Sequence, residues 1–163
     1  MVPAPSAGET GDCWLGWFDG AALPNPGKLG LGVVLQSPDG SRVEFSERGE
    51  GTGCSNEAEL QALCAALSLA HAAGVQRLVL SGDSDFAVRH AAGSAHTAVP
   101  RLMALIDKVQ ALAGLFEAVV WQWVPRHRNG DADRLSRGAL GLVHKPAPHP
   151  GKALAAKRSR RKR

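Results

Sequence analysis

The amino-acid sequence predicts an α/β domain whose single sheet mixes antiparallel and parallel strands and is flanked by helices. Three observations lead to this prediction. Residues 12–47 contain three short apolar stretches separated by turn residues, as in an antiparallel meander. Over residues 55–73, apolar residues recur at spacings of three and four, which is typical of a helix with one buried face. Strand-like and helical stretches then alternate, an order that indicates parallel crossover connections.

The opening meander consists of three predicted strands, over residues 12–19, 30–35 and 42–47. Small and large apolar residues alternate in the first of them, which suits a strand in the middle of a sheet. Ser37-Pro38-Asp39-Gly40 joins the second strand to the third, and its proline and glycine occupy the positions expected in a type I turn. These strands therefore form an antiparallel unit at the start of the domain.

The most regular helical pattern covers residues 55–73 and ends before Gly74, a residue that commonly terminates helices. The side chain of Ser55 or Asn56 can cap its first turn. The remaining predicted elements are a strand over 77–80, a short helix over 84–92, a helix from an N-cap at Thr97 to Gly114, a strand over 118–124 and a final helix from about Asn129.

Composition excludes some classes of protein. The chain lacks the run of about 18 apolar residues that a membrane span needs, and it lacks the basic and apolar start of a secretory signal. Its three cysteines, Cys13, Cys54 and Cys64, do not have the spacing of metal ligands. We therefore expect a cytoplasmic protein whose thiols are buried and reduced.

Positive charge is concentrated at the C-terminal end. Residues 145–163 contain eight Lys or Arg and no acid, whereas residues 1–144 carry a net charge of −4. The basic tail over 152–163 is either a solubilising or localising extension or a segment that contacts nucleic-acid phosphates. The predicted organisation is a flexible arm over 1–11, a folded domain over 12–143, and a Pro-rich linker with a disordered basic tail over 144–163.

An acidic residue, Asp19, closes the first predicted strand, directly before Gly20 and the turn sequence Asn25-Pro26-Gly27. Backbone N–H groups often satisfy a turn aspartate, which is the simplest interpretation of this residue. A carboxylate at the end of a buried strand is nevertheless costly unless a cation or a hydrogen-bond donor meets it. Asp19 is therefore either a turn residue or part of a site.

Three further acids stand at the ends of predicted elements, as Asp19 does. Glu59 lies in the first turns of the long helix, Asp83 ends the fourth strand, and Asp133 lies in the first turn of the last helix. If the first and fourth strands are parallel neighbours, Asp19 and Asp83 emerge at the carboxyl edge of the sheet, where α/β folds bind ligands. Converging carboxylates repel one another unless a divalent cation separates them, and oxygen ligands select Mg²⁺ or Mn²⁺. Spacing alone leaves open a metal site or four separate turn and capping acids.

Short motifs that contain these acids follow one another along the chain: Phe18-Asp19-Gly20-Ala21 with Asn25-Pro26-Gly27, Asn56-Glu57-Ala58-Glu59-Leu60, Asp83-Ser84, and Trp123-Val124-Pro125-Arg126 with Asn129 and Ala132-Asp133-Arg134-Leu135. In this order, from about Cys13 to Gly138, the chain resembles the type 1 ribonuclease H family. The resemblance implies a ribonuclease H-like fold with a five-stranded mixed sheet. It also implies an endonuclease that hydrolyses the RNA strand of RNA–DNA hybrids with two Mg²⁺ ions, leaving 5′-phosphate and 3′-hydroxyl ends.

By motif position, the resemblance makes Asp19, Glu59, Asp83 and Asp133 the catalytic, metal-binding carboxylates. Asp19 would bridge both ions, Glu59 and Asp83 would hold one each, and Asp133 would steer the ion nearer the attacking water. Mn²⁺ can replace Mg²⁺ in such a site. The implied partner is an RNA–DNA hybrid, and we expect the protein to act on it as a monomer.

The resemblance also places Gly20, Asn25 and Asn56 along the hybrid. His127, in a shortened loop, either assists proton transfer or product release or is a surface residue. A non-catalytic nucleic-acid-binding protein that retains the fold remains the second interpretation, because the chain departs from the family near the site. These departures are at Cys54, Ser55 and Asp85.

Overall fold

The computed structural model describes residues 12–143. The predicted arm over 1–11 and the predicted linker and basic tail over 144–163 lie outside the described residues. Within the described chain, no helix has the length and hydrophobicity needed to cross a bilayer.

Five strands and four helices make up the described chain. The strands are β1 (Cys13–Leu23), β2 (Gly27–Gln36), β3 (Arg42–Gly53), β4 (Arg77–Gly82) and β5 (Ala118–Trp123). The helices are α1 (Ser55–Ala72), α2 (Asp85–Ala91), α3 (Pro100–Ala113) and α4 (Gly130–Ala139), and a 3-10 turn covers Arg126–Arg128.

The strands form one sheet in the order β3-β2-β1-β4-β5. β1, β2 and β3 pair antiparallel, whereas β4 pairs parallel with β1 and β5 pairs parallel with β4. The prediction of a five-stranded mixed sheet, with an antiparallel meander followed by parallel strands, is confirmed.

The core lies between the sheet and α1. Phe18 of β1, Leu80 of β4 and Leu63 of α1 are fully buried there, and α3 adds Leu102 and Val109 from its apolar face. Burying an aliphatic or aromatic side chain of this size contributes roughly 1.5–3 kcal/mol. The core thus fixes α1 against β1, which positions the acidic residue that α1 carries.

Helix α4 lies on the opposite face, directly against β2. A Cβ atom at Gly32 would lie 2.2 Å from the carbonyl oxygen of Ala132, and one at Gly30 would lie 2.2 Å from that of Ser136. Only glycine can occupy these positions at the observed separation of helix and strand. The close approach brings Asp133 of α4 to the end of the sheet where Asp19 lies.

We expect Gly32→Ala to destabilise the fold by about 1–3 kcal/mol, because the added methyl group forces α4 away from β2. Gly138→Ala is the matched control, since the nearest atom to its added Cβ would be 3.9 Å away. Alanine has the higher helix propensity, so this variant should be stabilised by up to about 1 kcal/mol. Thermal unfolding followed by circular dichroism measures both changes, and equal stabilities would contradict the close packing of α4.

The first strand is longer than predicted. It continues four residues past Asp19 to Leu23, whereas we predicted that it ends at residue 19. The parallel pairing with β4 stops at Trp17 and Ser81, but the antiparallel pairing with β2 continues to Leu23 and Lys28. Asp19 therefore lies inside a strand, just beyond the point where one of its two neighbouring strands ends.

Two predicted helix caps are wrong. The N-cap of α1 is Cys54, whose N–H donates to Oε2 of Glu57 (3.1 Å), rather than Ser55 or Asn56. Asn25, from the β1–β2 turn, accepts the N–H of Ser55 through Oδ1 (3.1 Å). The N-cap of α3 is Val99 rather than Thr97, because the helix begins at Pro100.

The three cysteines are free, as predicted, but they differ in burial. Only Cys64 is buried, and burial raises the pKa of its thiol to about 11. Cys13 and Cys54 are half-buried, so the prediction of buried thiols is wrong for these two.

Candidate metal centre

Three acids converge at the carboxyl edge of β1 and β4. Asp19 comes from β1, Asp83 directly follows β4, and Glu59 comes from the second turn of α1. One carboxylate oxygen of each residue can be chosen so that all three lie within 4.8 Å of one another. We call Asp19, Glu59 and Asp83 the acidic triad. The predicted convergence of these residues is therefore present in the fold.

Gly20 allows Glu59 to reach the triad. A Cβ at Gly20 would lie 2.2 Å from the carbonyl carbon of Ala58, so the start of α1 packs directly on the β1 backbone. The N–H of Gly20 donates to Oε2 of Glu59 (3.1 Å). A larger residue at position 20 would move Glu59 and Asp19 apart.

Asp133, the fourth predicted acid, lies beside the triad but does not join its cluster of oxygens. It is buried in the first turn of α4, and its Oδ1 lies 3.2 Å from Nε of Arg137. Its negative charge nevertheless contributes to the raised pKa of Asp19. The structure thus brings three of the predicted acids together and holds the fourth next to them, with its charge partly balanced.

The triad is electrostatically unfavourable without a cation. Burial raises the pKa of Asp19 to about 7, the hydrogen bond from Ser136 opposes this rise, and the charges of Asp83 and Asp133 add to it. Burial and the neighbouring charges of Asp19 and Asp83 likewise raise the pKa of Glu59 well above its ordinary value. Among residues 12–143, no Lys or Arg forms an ion pair with a triad carboxylate. Hard oxygen donors with uncompensated charge are a set that fits Mg²⁺ or Mn²⁺.

Two buried polar residues beside the triad had no role in the sequence-based prediction. Ser136 donates through Oγ to Oδ2 of Asp19 (2.5 Å), and Nδ2 of Asn129 donates to Oδ1 of Asp83 (2.8 Å). Asn129 belongs to a recognised motif, but nothing in the sequence gives the target of its amide. Ser136 follows Asp133 by three residues, so helical spacing places both on one side of α4, which was the available signal.

The residues predicted to lie along a nucleic-acid hybrid surround the start of α1. Asn25 is exposed, and its Nδ2 lies 3.3 Å from Oγ of Ser55, so it ties the β1–β2 turn to the helix. Asn56 is half-buried in the first turn, and Gly20 is buried against Ala58 and Glu59 of the same helix. Gly20 contacts the triad through Glu59, whereas Asn25 and Asn56 lie at the start of the helix that carries Glu59. Their predicted contact with a hybrid stays a prediction.

His127 and Asp85 do not belong to the triad. His127 lies in the 3-10 turn and lines a cavity of about 470 Å³ with Trp17, Arg42 and Arg128, which no triad residue lines. Asp85 is exposed, and its Oδ2 lies 3.5 Å from NH1 of Arg89 one turn later in α2. Asp85 is therefore a surface residue of α2 rather than a further member of the cluster.

Comparisons with known proteins agree with this geometry. The sequence model of the reverse transcriptase-like family matches residues 17–139. A ribonuclease HI of Halobacterium salinarum is 36% identical over 124 residues, which cover 76% of this chain and 62% of that protein. A bifunctional protein of Mycobacterium tuberculosis is 35% identical over 130 residues. The match covers 79% of this chain but only 36% of the length of that protein, and two other mycobacterial relatives show the same shares.

Solved structures show the same likeness. The crystal structure of ribonuclease H1 from Halobacterium salinarum superposes with a TM-score of 0.76 at 35% identity, covering 79% of this chain and 98% of that one. LC11 ribonuclease H1 in complex with an RNA/DNA hybrid gives a TM-score of 0.72 at 28% identity, covering 78% of this chain and 96% of that one. With the fold, the acidic triad and these matches in agreement, the chain belongs to the reverse transcriptase-like family of ribonuclease H domains.

Proposed function

We propose that this protein is a metal-dependent endonuclease that hydrolyses the RNA strand of RNA–DNA hybrids. The observation that carries the proposal is the convergence of Asp19, Glu59 and Asp83 within 4.8 Å in a chain of this family. Three carboxylates that close repel one another unless a proton or a cation compensates their charge, and a cation does so at neutral pH and above. The hybrid-bound LC11 ribonuclease H1 supports the choice of substrate, since it is a structural relative of the same fold.

The triad and Asp133 would hold two Mg²⁺ ions, for which Mn²⁺ can substitute. Asp19 would be the central ligand, because the charges of both Asp83 and Asp133 act on it. When bound, such ions activate a water molecule and stabilise the charge on the leaving oxygen, which gives 5′-phosphate and 3′-hydroxyl products. The residues of the chain supply the negative charge that concentrates the ions and the burial that keeps the carboxylates in place.

The residues around the start of α1 are proposed to recognise the substrate. Gly20 contacts Glu59, and Asn25 and Asn56 lie at the start of the helix that carries it; we propose that these three residues bind the hybrid. A hybrid presents 2′-hydroxyl groups on one strand only, which distinguishes it from duplex DNA. His127, near the start of α4, is proposed to assist proton transfer or product release.

Cleavage of an end-labelled hybrid in Mg²⁺ tests the proposal, with single-stranded RNA and duplex DNA of the same sequence as comparators. We expect cleavage of the RNA strand of the hybrid and at least tenfold slower cleavage of both comparators. Binding of the hybrid without any cleavage would favour the non-catalytic interpretation. Equal rates on duplex DNA would contradict the proposed specificity.

The basic tail is proposed to contact phosphates, because the body of the chain is negatively charged and residues 145–163 carry eight positive charges. Truncation after Val143 should weaken hybrid binding and flatten the dependence of log affinity on log salt by roughly 0.7–0.9 for each lost contact. The turnover rate at saturating substrate should change little, so the loss should appear in KM. Fluorescence anisotropy over a salt series measures the slope.

A full-length variant with the tail Lys and Arg replaced by Gln separates charge from chain length. It should behave like the truncated protein. If both proteins keep the wild-type slope, the tail is a solubilising or localising extension instead.

A further inference from the structure

Two buried polar side chains flank the acidic triad, at the two ends of one stretch of chain. Asn129 precedes α4 and is 1% exposed, and Ser136 lies two turns later and is 0% exposed. Their hydrogen-bond partners place both side chains at the end of the sheet where the triad lies. Each makes a hydrogen bond to a different acid of the triad.

The amide of Asn129 joins the ends of β1 and β4. Its Nδ2 donates to the carbonyl oxygen of Phe18 (2.9 Å) and to Oδ1 of Asp83 (2.8 Å). An amide nitrogen has two N–H groups, so both are used, and a flipped amide would place an acceptor against two acceptors. Phe18 directly precedes Asp19, so this one side chain links the two strands just past the last parallel pair, Trp17 and Ser81.

The remaining oxygen of Asn129 indicates why an amide side chain occupies this position. Within residues 12–143, Oδ1 of Asn129 is the only buried side-chain nitrogen or oxygen that has no hydrogen-bond partner. An unpartnered buried carbonyl is costly, so a side chain that carries one must be retained for another reason. The two donors supply that reason, because a neutral double donor reaches both strands without neutralising the triad as Lys or Arg would.

Ser136 forms the corresponding hydrogen bond to Asp19, the triad acid of β1. Its Oγ lies 2.5 Å from Oδ2 of Asp19 and 3.0 Å from the carbonyl oxygen of Asp133. A hydroxyl group has one proton, and a carboxylate is a stronger acceptor than a carbonyl, so the proton goes to Asp19. The contact depends on glycine at position 32, because a Cβ atom there would lie 2.6 Å from the backbone nitrogen of Ser136.

A common pattern emerges across the triad. One carboxylate oxygen of each acid accepts a hydrogen bond from the protein: Asp19 from Ser136, Asp83 from Asn129 and Glu59 from the N–H of Gly20. A carboxylate fixed through one oxygen presents the other in a defined direction. We propose that Ser136 and Asn129 are positioning residues that orient Asp19 and Asp83 so that one oxygen of each faces a divalent cation. This inference rests on the proposed metal site.

A purely structural role is the alternative, since both residues also tie α4 to the sheet. Ser46 provides the matched control. Its Oγ donates to the carbonyl oxygen of Leu135 (2.7 Å), so it links β3 to the same helix, next to Ser136, without touching an acid. Ser46→Ala and Ser136→Ala therefore each remove one hydroxyl group that hydrogen-bonds α4 or the sheet across their interface, from an exposed position in the first case and a buried one in the second.

Isothermal titration of the full chain with Mn²⁺ alone, without nucleic acid, distinguishes the two roles. Ser136→Ala and Asn129→Ala should each weaken Mn²⁺ binding about tenfold or more, as removal of a hydrogen bond to a metal ligand does. Ser46→Ala should bind Mn²⁺ within twofold of wild type. Thermal unfolding without metal establishes that each variant is folded.

Wild-type Mn²⁺ affinity in both Ser136→Ala and Asn129→Ala would overturn the inference while leaving the metal site intact. If Asn129→Ala does not fold, Ser136→Ala decides the question alone. Absence of Mn²⁺ binding by the wild-type chain would instead refute the proposed metal site, and the inference with it.

Discussion

Asp19→Asn is expected to lower cleavage of an RNA–DNA hybrid to below about one per cent of the wild-type rate. Asp19 is the triad acid whose charge interacts with both Asp83 and Asp133, so its loss removes a ligand that no other residue replaces. The amide keeps the size of the side chain and can still pair with Ser136, so the fold should persist. Initial rates in saturating Mg²⁺ measure the effect.

Asp85→Asn is the control for this variant. Asp85 lies two residues after Asp83 but is exposed and paired with Arg89. Its replacement removes one negative charge near the site without removing a triad ligand, so the cleavage rate should equal or exceed that of wild type. A strong loss in Asp85→Asn, or substantial activity in Asp19→Asn, would contradict the assignment of the triad.

The metal-free protein should lose stability as the pH rises from about 4 to above 7. The pKa of Asp19 is raised from 3.8 to about 7 in the folded state, so the folded protein binds a proton there that the unfolded chain releases. The resulting stabilisation is complete below the unfolded pKa and is lost as the pH passes the folded value. The raised pKa of Glu59 acts in the same direction. One unit of pKa shift corresponds to about 1.4 kcal/mol, so the total change is of the order of a few kcal/mol.

Mn²⁺ should reverse this loss, since a ligand that binds only the folded state stabilises it by about 2.7 kcal/mol at a hundredfold excess over Kd. The gain in Tm on adding Mn²⁺ should be large at pH 8 and small at pH 5, where protons occupy the carboxylates. Asp19→Asn should stabilise the metal-free protein at pH 8 and respond weakly to Mn²⁺. A Tm that changes with neither pH nor Mn²⁺ would contradict charge repulsion within the triad.

The sequence was sufficient to predict the order of the strands and helices because their apolar patterns are regular. The convergence of Asp19 and Asp83 followed from topology, since the carboxyl ends of adjacent parallel strands meet at one edge. The extra length of β1 could not be predicted in the same way. It depends on pairing with β2 beyond Asp19, where the residues Gly20 to Leu23 read as a turn rather than a strand.

Contacts between segments that are distant in the chain could not be predicted from the sequence either. The burial of Glu57 and its ion pair with Arg101 depend on how α3 packs on α1. The hydrogen bond from Ser136 to Asp19 spans 117 residues and exists only because Gly30 and Gly32 admit α4 to the sheet. Distances of this kind are set by packing, and no local pattern encodes them.

The location of bound Mn²⁺, determined by anomalous diffraction from crystals of the protein soaked at neutral pH, tests the central claim most directly. We predict an anomalous peak about 2.0–2.2 Å from carboxylate oxygens of Asp19, Glu59 and Asp83, the coordination distance expected for a small divalent ion. Crystals of the Asp19→Asn variant soaked in the same way should lack that peak. Crystals of the wild-type protein with no peak between the three carboxylates would contradict the account.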